Sequence, residues 1–323
     1  MNHNKELKAT HVETLNGFPY HINLDNISVE NFVAYYKENE STINEKLEQN
    51  GAIKFRGIQI DSPSSFQSII NDIFDEFSSY VDGNSPRIKV KDNVYTSTEY
   101  PHTQKITMHN ELSYSGNWPN KLIFCCIIAA QKQGETLIAD GRKVLNTMDA
   151  SFVEEIKEKG ITYIRNLHSG MGLGPSWKDT FETEDKSEVN KHCERLNIEY
   201  EWKSDDSIRL IQRRKGTLLH KSTGEEVWFN QIDQFHPLHL GEKLYKNLRR
   251  LYKNTHDLPM FVEFGDGTEI TEDRIKHILD TMEAVTIAPT WNQGDLLLID
   301  NELVCHGRNP FEGERKVLVS MIK

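Results

Sequence analysis

The chain of 323 residues has no apolar run long enough to cross a bilayer: the longest, residues 122–130, is under half of the ~20 residues that a membrane helix requires. The opening Met1-Asn2-His3-Asn4-Lys5-Glu6 lacks the apolar stretch of a secretory signal. Cysteine is scarce, and Cys125, Cys126, Cys193 and Cys305 have neither metal-site nor dithiol spacing. They read as buried free thiols, with the neighbours Cys125 and Cys126 on opposite faces of a strand. Positive charge is also short. Lys plus Arg number 38 against 49 Asp plus Glu, a net charge of −11. A nucleic-acid binder needs a basic face to displace phosphate counterions, and an acidic surface has no attraction for anionic lipid. The expectation is a soluble, cytoplasmic protein with neither nucleic acid nor membrane as partner. What the chain does contain is core-forming material: 37% hydrophobic residues, with 14 Phe, 11 Tyr and 5 Trp.

This length allows two domains at about 150 residues each, or one large β-domain with insertions. Residues 1–16 are polar and read as a loosely ordered N-terminus. Helices are predicted over 28–37 and 42–49, the second opening with a Thr42/Glu45 capping box and stopping at Asn50-Gly51. After Ser62-Pro63, a cap followed by proline, the apolar residues Phe66, Ile69, Ile70, Ile73 and Phe77 keep the spacing of one buried helix face. From residue 94 the texture changes to short strands, predicted over 94–98, 106–112, 122–130, 136–139, 161–167, 208–212, 217–220, 226–230, 295–300 and 316–321. Helices interrupt them over 150–159, 189–196, 242–253 and 272–285. Residues 169–187, with Gly170, Gly172, Gly174 and Pro175 near their start, read as a long loop of the kind that forms a lid. No repeat or composition break marks a linker, so residues 17–323 are expected to form a single mainly β (α+β) domain, a sandwich or barrel with peripheral helices.

The chemistry-bearing residues begin with His109-Asn110-Glu111. On a strand, positions i and i+2 point the same way, so an imidazole and a carboxylate there can share a metal ion. Alone, the pattern equally describes a hydrogen-bonded surface pair. His306 supplies a third ligand, after an apolar strand and a tight turn. Two histidines and one carboxylate on one face of a metal leave three positions free, the arrangement of non-haem Fe(II) oxygenases. Zinc would prefer a tetrahedral site and offers no oxygen chemistry. Nine residues on, Arg315 has the guanidinium suited to hold a remote carboxylate, or else is a solvated surface arginine. Thr136 is placed to add a hydroxyl to the same carboxylate.

His109-x-Glu111, Gly134-Glu-Thr136-Leu-Ile-Ala-Asp140 and Gly294-Asp-x5-Asn301-x4-His306-Gly-Arg-x-x-Phe-x-Gly-x-Arg315 together resemble the taurine dioxygenase superfamily of Fe(II)/2-oxoglutarate-dependent oxygenases. The closer likeness is to its syringomycin-type, clavaminate-synthase-like branch of amino-acid hydroxylases. Gly51-Ala-Ile-Lys-Phe-Arg56-Gly57, Ser85-Pro86-Arg87, Val94-Tyr-Thr-Ser-Thr-Glu-Tyr-Pro101, Trp228-Phe-Asn230-Gln231, Phe235-His236 and Phe264-Gly-Asp-Gly267 extend the resemblance over residues 50–323. It implies a double-stranded β-helix, a jelly-roll core with helices outside. It also implies iron ligation by His109, Glu111 and His306, and a grip on 2-oxoglutarate by Thr136 and Arg315. The superfamily more often has Asp where this chain has Glu111. The presence of a carboxylate there argues against halogenation, since related halogenases put a small residue in its place.

The implied reaction hydroxylates an unactivated C–H bond of an amino acid, free or tethered to a peptidyl carrier protein, in natural-product biosynthesis. 2-Oxoglutarate and O2 are consumed, and succinate and CO2 are released. Desaturation, epoxidation or cyclisation by the same iron is an alternative, as is a non-catalytic small-molecule-binding jelly roll; a zinc hydrolase is disfavoured for want of a general base beside the triad. Ser97 and Glu99 precede the His109 strand, and Glu99 is a candidate partner for a substrate ammonium. Arg165 is a candidate for a substrate carboxylate, and Asn230 for the pocket wall. His168, His220, His236 and His239 read as structural.

Overall fold

A computed structural model describes residues 12–15, 17–84, 87–97 and 100–323. Its largest sheet has eight strands in the order Val12–Leu15, Tyr20–Ile27, Ala52–Ile58, Leu296–Asp300, Lys121–Ile128, Lys316–Ile322, Val94–Thr96 and Lys89–Lys91. Neighbours pair antiparallel except Tyr20–Ile27 with Ala52–Ile58, which run parallel. The central strands are apolar on both faces because both are covered. Ile123, Cys125 and Ile127 point outward, against Phe32, Phe55, Phe66, Ile69 and Ile70. Leu122, Phe124 and Cys126 alternate inward, against Ile138, Val304 and Leu297. The two neighbouring cysteines thus face opposite ways, as the period of two requires. Gly57 tolerates no side chain: its φ is +85°, and a Cβ there would lie 1.8 Å from the carbonyl oxygen of Leu24.

Over the inner face lies a three-stranded sheet, Ile106–His109, Val304–Arg308 and Thr136–Asp140, with the His306 strand in the middle. These two facing sheets are the expected jelly roll. A four-stranded sheet of Glu199–Trp202, Ile208–Arg214, Ile161–Leu167 and Met260–Phe264 extends it. Helices 150–159 and 272–285 form over the predicted spans. No helix among the described residues is long and apolar enough to cross a membrane.

Several local expectations are corrected. Val12–Leu15, inside the stretch read as loose, pairs with Tyr20–Ile27. The helix Glu40–Asn50 starts two residues early, with Asn39 at its cap and no side-chain cap bond, so the Thr42/Glu45 box does not form. Ser62 does cap, accepting from Ser65 N, but the helix stops at Ile73 because Phe77 bridges to Ile322 instead. The suspected lid is only partly loop. Trp177–Phe181 is a short helix, and Trp177 and Phe181 are buried with Leu167, Val189 and Leu210, leaving the exposed Met171 and Leu173 at the tip. The strand predicted over 106–112 ends at His109.

Candidate active site

His109 and His306 sit directly opposite each other on antiparallel strands, with ring centroids 4.2 Å apart. Glu111 reaches them from a turn rather than from the strand. Leu112, with φ +56°, helps to reverse the chain. Asn301 fastens this turn: its Oδ1 accepts from Glu111 N at 2.7 Å, and its Nδ2 donates to the carbonyls of Glu111 at 3.0 Å and Pro119 at 2.9 Å. Asn110 Nδ2 donates back to Asn301 O at 2.7 Å, and Gln231 Nε2 donates to Asn110 O at 2.7 Å. The result brings one ligand atom each of His109, Glu111 and His306 within 4.8 Å of one another. It is the one such group of three or more among the described residues.

Local hydrogen bonds suit this trio to a cation. His109 Nδ1 lies 3.0 Å from both Thr107 O and Gln234 Nε2; in the tautomer that donates to the carbonyl, Nε2 is left bare. Gln234 Nε2 also donates to Thr107 O at 3.1 Å. Burial, with help from His306, pushes the His109 pKa down to about 3, so the ring is neutral and a lone pair is available near pH 7. Burial works to raise the Glu111 pKa, but the Arg87 guanidinium and the two imidazoles outweigh it and hold the carboxyl well below its usual range. Cys305 points the other way, its Sγ on Asn110 Oδ1.

Beside the trio is a small cavity of about 20 Å³, lined by Ser97, Phe124, Thr136, Arg308 and Arg315 as well as the two histidines. Arg315 Nε donates to Gly134 O at 2.7 Å and Nη1 to Ser97 Oγ at 3.2 Å. The guanidinium has no ion pair among the described residues, and burial with the nearby Arg308 charge pulls its pKa down to about 10. It therefore stays cationic at neutral pH. Thr136 Oγ1 accepts from Trp291 Nε1 at 3.2 Å at the same cavity.

Of the four substrate candidates, Arg165 and Asn230 are engaged in contacts within the fold, and Ser97 lines the cavity. Ser97 belongs with Arg315. Glu99 lies outside the described residues. Arg165 is wholly buried and its donors are spent on Asp82, Asn84 and Gln212. Asn230 bridges Gly216 O and Ile232 N. His220 meets Asp300 at 3.3 Å, and His236 accepts from Leu238 N, both structural contacts. Sequence reasoning missed Gln231 and Gln234 as supports of the metal trio, and Arg87 as the partner of Glu111. Gln231 and Arg87 each end a quoted motif and Gln234 lies between two, but local periodicity assigns none of them a partner.

Residues 14–321 match the family model described as taurine catabolism dioxygenase TauD, TfdA family. The dapdiamide synthesis protein DdaC of Enterobacter agglomerans is 39% identical over 281 residues, 87% of this chain and 84% of that protein. A clavaminate synthase-like protein of Arabidopsis thaliana is 31% identical over 306 residues, 92% of this chain and 89% of that one. Among solved structures, PvcB from Pseudomonas aeruginosa superposes with a TM-score of 0.53 at 12% identity, covering 100% of this chain and 94% of its own. AAD-2, in complex with Mn(II) and N-oxalylglycine, gives 0.52 at 10% identity, with 98% and 97% covered. These last two likenesses are of fold. With the family model covering nearly the whole chain, the chain belongs to the TauD/TfdA family of iron- and 2-oxoglutarate-dependent dioxygenases.

Proposed function

We propose that this dioxygenase hydroxylates an unactivated C–H bond of an amino acid or close derivative, free or tethered to a peptidyl carrier protein, in a natural-product pathway of the cytoplasm. In this reading residues 17–323 act as one domain, with the exposed loop around Met171 as its lid. His109, Glu111 and His306 hold Fe(II), and Thr136 and Arg315 hold the distal carboxylate of 2-oxoglutarate. The single observation that carries the reading is the pairing of an open N,N,O ligand face with a buried arginine that has no ion pair among the described residues, in one small cavity. A non-catalytic binder would gain nothing from that pairing. The natural-product setting draws on the 39% identity to a dapdiamide synthesis protein.

Bound iron supplies the oxidation, O2 giving one oxygen atom to the substrate and one to 2-oxoglutarate, which leaves as succinate and CO2. The chain's own residues do the rest. His109 offers Nε2 in the tautomer whose other nitrogen donates to Thr107 O. Asn301 sets the height of Glu111 above the imidazoles. Arg315 and Thr136 orient the cosubstrate by its far end, so that its keto acid end reaches the ligand face. Phe124 and Ile106 keep that cavity apolar between the polar ends.

The test is to load the protein with Fe(II) anaerobically, add 2-oxoglutarate, then admit O2 with a panel of amino acids and aminoacyl carrier proteins. Substrate-dependent succinate with a product heavier by one oxygen supports hydroxylation. A product lighter by two hydrogens indicates desaturation or cyclisation instead. Absence of substrate-stimulated succinate across the panel, together with an unaltered His109→Ala variant, overturns the reading.

A further inference from the structure

The metal-ligating trio has a fourth member that no ligand count requires. Arg87 has a side chain only 2% exposed, and its Nη2 is hydrogen-bonded to Glu111 Oε2. Its guanidinium lies over the Tyr80 ring, 4.3 Å from the centroid. Nε and Nη1 have no hydrogen-bond partner among the described residues. A buried arginine normally spreads its charge over several acceptors; here the Glu111 carboxylate is its one ion-pair partner among the described residues, with Tyr80 packed beside it.

Arg165 donates to the carbonyl of Asp82 at 3.1 Å and to Asn84 Oδ1 at 2.9 Å. Tyr114, three residues after Glu111, donates to the same Asp82 carbonyl at 2.7 Å. The Asp82 carbonyl thus joins Arg165 to the segment that follows Glu111.

We infer that Arg87 is a positioning residue that keeps Glu111 a one-oxygen ligand and so protects the open coordination positions. The inference rests on the triad reading above. The oxygen that Arg87 holds, Oε2, is also the one 3.6 Å from His306 Nε2. With that oxygen engaged by Arg87, the carboxylate would offer a bound metal one oxygen, and with the two histidines it would leave positions open for the keto acid of 2-oxoglutarate and O2. A carboxylate free to bind through both oxygens would take one of those positions. The arrangement has an electrostatic cost, because a guanidinium beside a dication repels it. Arg87 thus weakens metal binding while it protects cosubstrate binding.

Those opposite signs make the test. Co(II) affinity and anaerobic 2-oxoglutarate affinity of the Co(II) protein are measured by titration for wild type, Arg87→Met and Arg87→Lys, with the Co(II) absorption spectrum recorded at saturation. Arg87→Met should bind Co(II) roughly tenfold tighter and 2-oxoglutarate roughly tenfold weaker, with an altered visible spectrum. Arg87→Lys keeps the charge and one donor, and should return Co(II) affinity to near the wild-type value while only partly restoring 2-oxoglutarate. A merely structural arginine would weaken both ligands together; that result, or no change in either, overturns the inference. Should Arg87→Met fail to fold, Arg87→Lys decides alone: wild-type-like Co(II) affinity with weakened 2-oxoglutarate supports the inference, and any other pattern refutes it. His306→Ala is the control for the underlying reading: if it binds Co(II) like wild type, the triad assignment fails, independently of Arg87.

Discussion

Substituting Arg165 by Met removes the positive half of a fully buried ion pair while nearly preserving volume. Both side chains are 0% exposed, and Asp82 has φ +76°, so the carboxylate cannot swing out to water without unwinding its turn. What remains near it is His192 Nε2 at 3.8 Å and Gln212 Nε2 at 3.5 Å, too long for full compensation. Leaving one buried charge without its partner costs about 3–5 kcal/mol. For a chain this long, that corresponds to a melting point about 4–7 °C lower. In the native protein burial works to raise the Asp82 pKa, but Arg165 and His192 outweigh it and the net shift is downward. The pair therefore contributes stability that is present above the ordinary Asp range and fades as pH falls through it. In Arg165→Met the carboxyl loses its main counter-charge and takes up a proton more readily. The deficit should be largest near pH 7 and shrink toward pH 4. Urea unfolding followed by tryptophan fluorescence at pH 7 and pH 4.5 measures both quantities. The double variant Arg165→Met/Asp82→Leu should recover much of the loss, because the stranded charge is gone. A single-variant loss under about 1 kcal/mol, or a deficit that grows with acid, refutes the reasoning.

Three further outcomes follow from the same geometry. Arg315→Ala should weaken 2-oxoglutarate by roughly 30-fold or more while Co(II) affinity changes little; equal weakening of both would remove Arg315 from the cosubstrate site. Asp233 is buried without an ion pair among the described residues, and burial, only partly offset by nearby backbone N–H groups and Thr107, pushes its pKa up to about 7. A folded pKa raised this way is neutral in acid and becomes a penalty as pH rises from about 4 to 7. Asp233→Asn should therefore gain more stability at pH 8 than at pH 5, by roughly 2 kcal/mol, and an equal effect at both pH values would contradict the burial argument. Gly57→Ala forces a Cβ against the carbonyl of Leu24 at positive φ and should lose at least about 2 kcal/mol in urea unfolding; a neutral result would mean that the parallel strand pair is not formed as described.

How much of this was legible beforehand depended on the range of each interaction. Strand alternation around 121–128 and the Ser62 cap are local, and both are found as read. The helix over 272–285 matched to the residue, since the Thr271 cap and the apolar spacing agree. The helix Glu40–Asn50 misled because its Thr42/Glu45 pair has box spacing inside an already started helix, where backbone bonds take precedence. The 169–187 stretch misled because its glycines occupy only the first half, and the apolar Trp177 and Phe181 behind them anchor a helix.

At the site, the sequence by itself determined which residue types stand at His109, Glu111, Thr136, His306 and Arg315, at spacings that only a metal and an anionic cosubstrate bring together into sense. Its net charge of −11 is acidic, and no helix among the described residues is long and apolar enough to cross a membrane. The tertiary structure decided how the carboxylate arrives. Glu111 comes from a turn held by Asn301, 190 residues later in the chain, and not from the strand that periodicity suggested. It decided that Arg165 serves Asp82 and that Arg87 serves Glu111. The physical reason is the same each time. Periodicity and capping act over a few residues, whereas a buried charge takes whichever partner the packed sheets bring beside it.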